Sequence, residues 1–426
     1  MNTEPMLLIR KTGRSISGSS ATSQKVLIVL QAALSLVLLA GAGLLTKSLA
    51  HLQTQQLGLE TQSRLIVRIN PALAGYKPDQ LPVLYRELED RFTRIPGVGS
   101  ASLALHTPMD NWNWGVVIFV PGRTPSPNPD NEDQADYNFV SPHYFETIGT
   151  RLLRGRAIGE QDTPSSHFVA VVNQAFVRKF FPGQDPMGKH VGMNEASHAG
   201  DYEIVGVVED TKYRDPKLAA RPMIFMPLLQ IARYSSNTDN AYQVWANYVD
   251  SIQLRVVGHP EAYEPLVRQT LADINPNLSP TKVVKFEDQI GAGFNTERLI
   301  ARLTGLYALL ALVLAAIGLY GVAAYLVTCR TTEIGVRMAL GAKRSDVVVM
   351  VLRSVITPIV AGLAIGIPAV FAAGRGMSSQ LFGVSDYDLG VLIAAVAALS
   401  ISALLAAIVP ARRAVTIDPL QALRTE

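Results

Sequence analysis

The sequence predicts a membrane α-helical protein of four transmembrane helices, with a large α+β extracytoplasmic domain inserted between helices 1 and 2. Three observations predict it. Four runs lack Asp, Glu, Lys and Arg for long enough to cross a bilayer, which takes roughly 20 apolar residues. Charged residues are only 17% of the 426, against 48% hydrophobic, and they crowd between the first run and the second. Basic residues also cluster on one side of the runs, which sets orientation. A mean hydropathy of +0.21 fits the same division. Soluble domains usually carry about a quarter charged residues, so a plain soluble chain is excluded. So are a disordered chain, a nucleic-acid binder with a basic stripe and a disulfide-stapled scaffold. Cys329 is the one cysteine, which leaves no intrachain disulfide.

The first run, residues 26–46, lies between Lys25 and Lys47 and follows a 25-residue segment carrying Arg10, Lys11, Arg14 and Lys25. It exceeds the 7–15 apolar residues of a signal-peptide core and reads as transmembrane helix 1. Residues 303–329 form helix 2, 354–374 helix 3 and 389–411 helix 4. The 330–353 loop carries Arg330, Arg337, Lys343, Arg344 and Arg353, and the 412–426 tail carries Arg412, Arg413 and Arg424. By the positive-inside rule both termini and the 330–353 loop are cytoplasmic. Residues 47–302 and the short 375–388 loop are then external. The formal net charge of +3 belongs to the cytoplasmic face, because acids and bases nearly balance in 47–302.

Small residues at four-residue spacing let helix backbones approach closely in lipid. Helix 3 has Gly362 and Gly366, and helix 4 has Ala394, Ala398, Ser402 and Ala406. Pro358 and Pro368 are expected to bend helix 3. No charged residue falls within any of the four runs, whereas a proton relay or ion pathway needs one. An ion-coupled carrier is therefore not expected.

In the external segment, strand, helix and strand are expected at 65–69, 79–94 and 100–105, and again at 252–257, 261–274 and 282–285. Two such units at the two ends predict one membrane-proximal α+β subdomain, about 60–120 with 241–290. A Pro-rich stretch at 121–133 leads into an inserted subdomain, about 135–240. Strands are expected there at 169–172, 202–208 and 223–227, with a helix at 174–180.

Catalytic chemistry is sparse. Gly183 to Lys189 has the spacing of a phosphate-binding loop, but His190 replaces the Ser or Thr that binds magnesium, and no strand–loop–helix context surrounds it. It reads as a turn. None of the seven histidines pairs at the i, i+4 spacing of a helical zinc site. Glu160/Asp162 and Glu209/Asp210 read as solvated loop charges, and Trp112 and Trp114 as packing on a sheet face. No catalytic, cofactor or metal residue is assigned.

The 330–353 loop is the most informative segment. Thr332 is expected to cap a short helix with Glu333 in its first turn and Arg337 near its end. Ile334, Val336, Met338 and Leu340 supply apolar contacts, and Gly341 ends the helix. Lys343 and Arg344 follow, with Ser345-Asp346 capping the next helix. These residues fit two readings equally: a lever joined to two spans, or an interfacial helix anchored by bases. In the tail, Asp418-Pro419 is expected to open a helix at 420–424.

EIGVRMALGA (333–342) and PARRAVTIDPLQALRTE (410–426) resemble the FtsX-like permease domain. VSPHYFETIG (140–149), NQAFVRKFFPGQDPMGK (173–189) and IVGVVEDTKYRDP (204–216) resemble the MacB-type periplasmic core domain. The resemblance covers nearly the whole chain. It implies a four-span permease subunit of a type VII ABC transporter in the bacterial inner membrane, non-catalytic and without a cofactor of its own. ATP and magnesium are then held by a partner ABC ATPase, which docks on Glu333, Ile334, Val336, Arg337, Met338, Leu340, Gly341, Lys343 and Arg344. It also implies a homodimer or pairing with a similar permease half, and a periplasmic adaptor with an outer-membrane channel. The expected function is export or extraction of a hydrophobic, peptide-like or lipid substrate. The alternative is FtsX-like mechanical signalling to an extracytoplasmic enzyme, without transport. MacB-like exporters often carry a fused ATPase ahead of helix 1, where this chain has 25 residues. The chain also resembles the second half of longer eight-span permeases, so it reads as a half-length version or as the end of a longer one.

Overall fold

The charge-free runs all become long helices. The structure is a computed structural model that describes the chain except residues 1–5, 111–114, 127, 129–131, 236–243, 341–342, 379–380, 386 and 417–426; the side chains of 6–22 are also outside it. Trp112, Trp114, Gly341 and the expected tail helix therefore lie outside the described residues, as do the side chains of Arg10, Lys11 and Arg14. Two compact units result, one of residues 1–54 with 296–426 and one of residues 55–295.

The first unit holds α1 (Met6–Thr54), α7 (Asn295–Cys329), the short α8 (Thr331–Ala339), α9 (Arg344–Gly376) and α10 (Leu389–Val415). Four of these are long and apolar enough to span a bilayer. Each outruns its charge-free core at one or both ends, because helix propagation costs little once the apolar segment is fixed. Pro358 and Pro368 both lie inside α9, whose helical assignment continues through them.

Glycine sets how closely α1 and α9 approach. A Cβ on Gly362 would stand 2.6 Å from Ala32 Cβ and 3.0 Å from the Val29 carbonyl oxygen. A Cβ on Gly366 would stand 3.1 Å from Ala33 Cα. On α10 the buried stripe is Ala395, Leu399, Ala403, Ala407, Ala411 and Ala414. The stripe read from the sequence lies beside it, with Ala406 packed against the buried cluster of Ala403 and Ala407. Ala398, Ser402 and Ala406 are half-buried on its edge and Ala394 is exposed, since one residue turns a helix by about 100°. At the other end of α10, Asp388 accepts from the Val391 N–H at 3.0 Å and pairs with Lys47 of α1.

The second unit is built on one eleven-stranded sheet. Its two ends meet: β1 (Arg64–Arg68), α2 (Leu81–Thr93) and β2 (Val98–Ala104) combine with β10 (Ser251–Val256), α5 (Glu264–Ile274) and β11 (Lys282–Lys285). The strand order β11-β1-β10-β2, antiparallel throughout, is that of a ferredoxin-like split βαβ fold. Leu81, Leu84, Leu88 and Phe92 of α2 and Val267 and Leu271 of α5 bury against Leu65, Val67, Ile252 and Leu254 of the sheet.

Between β2 and β10 run β3 (Gly115–Phe119), β4 (Gln134–Val140), α3 (Tyr144–Ile148), β5 (Leu152–Gly155), β6 (Val169–Asn173), α4 (Gln174–Phe180), β7 (His190–Met193), β8 (Tyr202–Val208) and β9 (Met223–Pro227). A single pairing, Ala104 with Val140, joins the insert's strands to β2. The expected boundary near residue 120 shifts, because β3 pairs with β4 and β7 and so belongs to the insert. Two helices have no counterpart in the sequence reading: α3, and α6 (Phe286–Ala292), which precedes α7.

Candidate functional site

α7 ends at Cys329, and Arg330 leaves helical geometry before α8 begins. Thr332 does not cap α8. Instead the hydroxyl of Thr331 donates back to the Val327 and Thr328 carbonyls at 3.1 and 2.7 Å, folding α8 directly off the end of α7. At the far end the Lys343 N–H donates to Asp346 at 3.1 Å, so the carboxylate caps α9 from its third residue.

α8 has two unlike faces. Ile334 is 1% exposed and packs with Val327 of α7, Val347 and Val351 of α9, and Ala411 and Ala414 of α10, with Met338 half-buried beside them. Gly335 is buried too. The opposite face is open: Leu340 is 83% exposed and Val336 39%, and Glu333, Arg337, Lys343 and Arg344 are exposed. Glu333 pairs with Arg337 at 2.6 Å and with Arg330 at 3.8 Å, and the Arg337 guanidinium also reaches Met350 Sδ at 3.4 Å. Of the contact residues expected from the sequence, Ile334 and Met338 therefore form the seat. The other described ones share the outer surface. Beside α8, Lys25, Val29, Arg330, Ile334, Met350 and Arg353 line part of a cavity of about 580 Å³, mostly apolar with a basic rim.

In the external unit, charges read as solvated turn out to be buttresses. Asp162 is buried and accepts from both Arg156 guanidinium nitrogens at 2.7 and 2.8 Å and from the Gly159 N–H at 2.9 Å. Asp210 accepts from the Ala175 N–H at 2.7 Å while Asn173 accepts from the Phe176 N–H at 2.9 Å, so both residues hold the first turn of α4. Gly183 and Gly188 take positive φ in a turn that runs into β7, with no helix following. The phosphate-loop spacing has no phosphate-loop fold around it.

One half-buried charge cluster sits where β1 meets β10. Arg68 pairs with Asp110, and with Asp250 at 3.3 Å. Burial outweighs Arg68 at Asp250 and pushes its carboxyl up to about 7, with the neighbouring Asp110 charge adding to the rise. Burial, aided by Arg68, lowers His106 to about 4, so its imidazole is neutral at physiological pH. Among the described residues, His167, His190 and Glu203 are the group of metal-type donors brought together.

Residues 26–259, more than half of the chain, match the MacB-like periplasmic core domain. The chain belongs to that family. The rest of this MacB-like chain matches the FtsX-like permease C-terminal domain over residues 305–419, the stretch that carries α8 and its seat. Similar curated proteins include the pyoverdine export ATP-binding/permease protein PvdT of Pseudomonas syringae pv. syringae, 26% identical over 70% of this chain and 44% of its own length. The macrolide export ATP-binding/permease protein MacB of Bdellovibrio bacteriovorus is 25% identical over 67% of this chain and 43% of its own length. The MacB-like chain thus spans under half the length of these relatives. The solved periplasmic region of MacB from Actinobacillus actinomycetemcomitans aligns with 56% of the chain and 95% of its own, at 13% identity and a TM-score of 0.36.

Proposed function

We propose that this chain is the membrane subunit of an ABC-type exporter, in which a separate ATPase drives the external domain by pushing on α8. ATP and magnesium belong to that partner; the chain itself catalyses nothing. Both termini and the 330–353 loop face the cytoplasm, residues 47–302 face outward, and the chain works as a homodimer or beside a similar permease half. An adaptor and outer-membrane channel complete the route for a hydrophobic, peptide-like or lipid substrate. The relatives named as export ATP-binding/permease proteins support the export reading.

The observation that carries it is the two-faced geometry of α8. A force on Val336, Arg337 and Leu340 meets a helix whose other face, through Ile334, is packed on α7, α9 and α10 at once. Packed interiors transmit displacement with little compression. The four charge-free spans offer no hydrophilic path of their own, which fits a substrate handled outside the membrane.

The test uses membranes holding the chain together with its co-purifying ATPase. Arg337→Glu and Leu340→Asp, both on the open face, are expected to lower chain-dependent ATP hydrolysis severalfold and to weaken co-purification, while the melting temperature of the purified chain stays unchanged. Unaltered hydrolysis and unaltered co-purification in both variants would overturn the lever.

A further inference from the structure

On the insert, three adjacent strands bring two imidazoles and a carboxylate to one place. His190 opens β7, and Glu203 of β8 is its partner in register. His167 lies two residues before β6, whose Val169 pairs with Glu203 on the other side of β8. The Glu203 N–H donates to the Phe168 carbonyl at 3.0 Å, which fixes the approach of His167. Val191 and Tyr202, the next residues along β7 and β8, are buried in the insert's core. Side chains alternate faces along a strand, so His190 and Glu203 share the opposite, half-exposed face.

The donor atoms of all three residues lie within 4.8 Å of one another. His167 Nε2 stands 3.5 Å from Glu203 Oε2, and the two imidazole rings are 6.0 Å apart and inclined at 75°. Zinc bonds of about 2.0–2.2 Å at tetrahedral angles place neighbouring donors about 3.3–3.6 Å apart. The His167–Glu203 spacing already meets that, and a His190 donor atom lies within 4.8 Å of both. Arg156, whose charge also reaches Glu203, is held by both oxygens of Asp162 and leaves the Glu203 carboxylate to the imidazoles.

We propose that His167, His190 and Glu203 form a zinc site on the external domain, with water in the fourth position. The set is that of two neutral imidazoles and one carboxylate, suited to a borderline cation such as zinc. Bound there, the ion ties β7, β8 and the approach to β6 together at the start of β7, a strand of only four residues.

The test takes the full-length, tag-free chain in detergent, stripped with a chelator and dialysed against zinc chloride, with bound metal counted by mass spectrometry. About one zinc per chain is expected, with a rise in melting temperature that grows with zinc concentration as mass action requires. His190→Ala and Glu203→Gln are each expected to weaken binding about tenfold or more and to abolish the zinc-dependent rise. The side chains face solvent, so both variants should melt as the stripped wild type does. His198→Ala removes a histidine held by Asp201 instead and should leave binding intact. Zinc retained equally by His190→Ala and Glu203→Gln, zinc lost equally in His198→Ala, or no binding by the wild type would each overturn the site.

Discussion

At the scale of single residues, the external unit carries its pH sensitivity in a few buried and half-buried groups. Asp250 is held up to about 7 when folded, against about 3.9 in an unfolded chain. Between those values the folded state holds a proton that the unfolded state has lost. Its contribution is greatest below the unfolded value and is lost as pH rises through about 7. Glu89, pushed up to about 7 mainly by burial, acts in the same direction. His106 acts oppositely: lowered to about 4, it loses stability as pH falls from about 6.5 toward 4. Of these three groups, only the two carboxyls still change above pH 6.5. Asp250→Asn should therefore flatten the decline in melting temperature from pH 6 to 8, while Arg68 keeps Asp110 as its partner. An undiminished decline in the variant would remove Asp250 from that role.

Elements differ in how openly the sequence announces them. The spans were legible because a bilayer demands a composition, and a run free of charge is visible without any partner. α4 and β8 were legible to the residue, since Asn173 caps one and a β-branched run makes the other. β4 was not: Asp136, Tyr137 and Asn138 look polar in sequence, yet Asp136 is neutralised by Arg214 at 2.7 Å and Asn138 bonds the His106 backbone. β7 hid inside a Gly- and His-bearing stretch that has phosphate-loop spacing. Helix faces were legible only in part, because alanine appears all round α10 and its neighbours alone select the buried stripe. Gly362 was the clearer signal. Gly362→Leu should force α1 and α9 apart and cost about 1–3 kcal/mol, read as a lower melting temperature in detergent. Gly376→Ala, where an added Cβ meets nothing within 4 Å, serves as the neutral control.

Across the whole molecule, apolar helix packing and clustered polar groups are separated along the chain. The membrane unit packs small and aliphatic side chains and keeps its charged residues outside the charge-free runs of its spans, while the external unit holds the more closely packed ion pairs and the clustered donors. The zinc-type cluster was invisible in sequence for that reason: residues 167, 190 and 203 become neighbours only when β6, β7 and β8 pair. Orientation, by contrast, rests on sequence alone, through the bases beside the spans. Cys329 makes it measurable, being the one cysteine, exposed at the end of α7 beside Arg330. A membrane-impermeant maleimide added to intact spheroplasts should leave Cys329 unmodified and should modify it once the membrane is opened. In a Cys329→Ser background, Gln184→Cys in the exposed turn before β7 should be modified without opening. The reverse pattern would place the external unit inside the cell, out of reach of any adaptor, and would remove α8 from contact with a cytoplasmic ATPase.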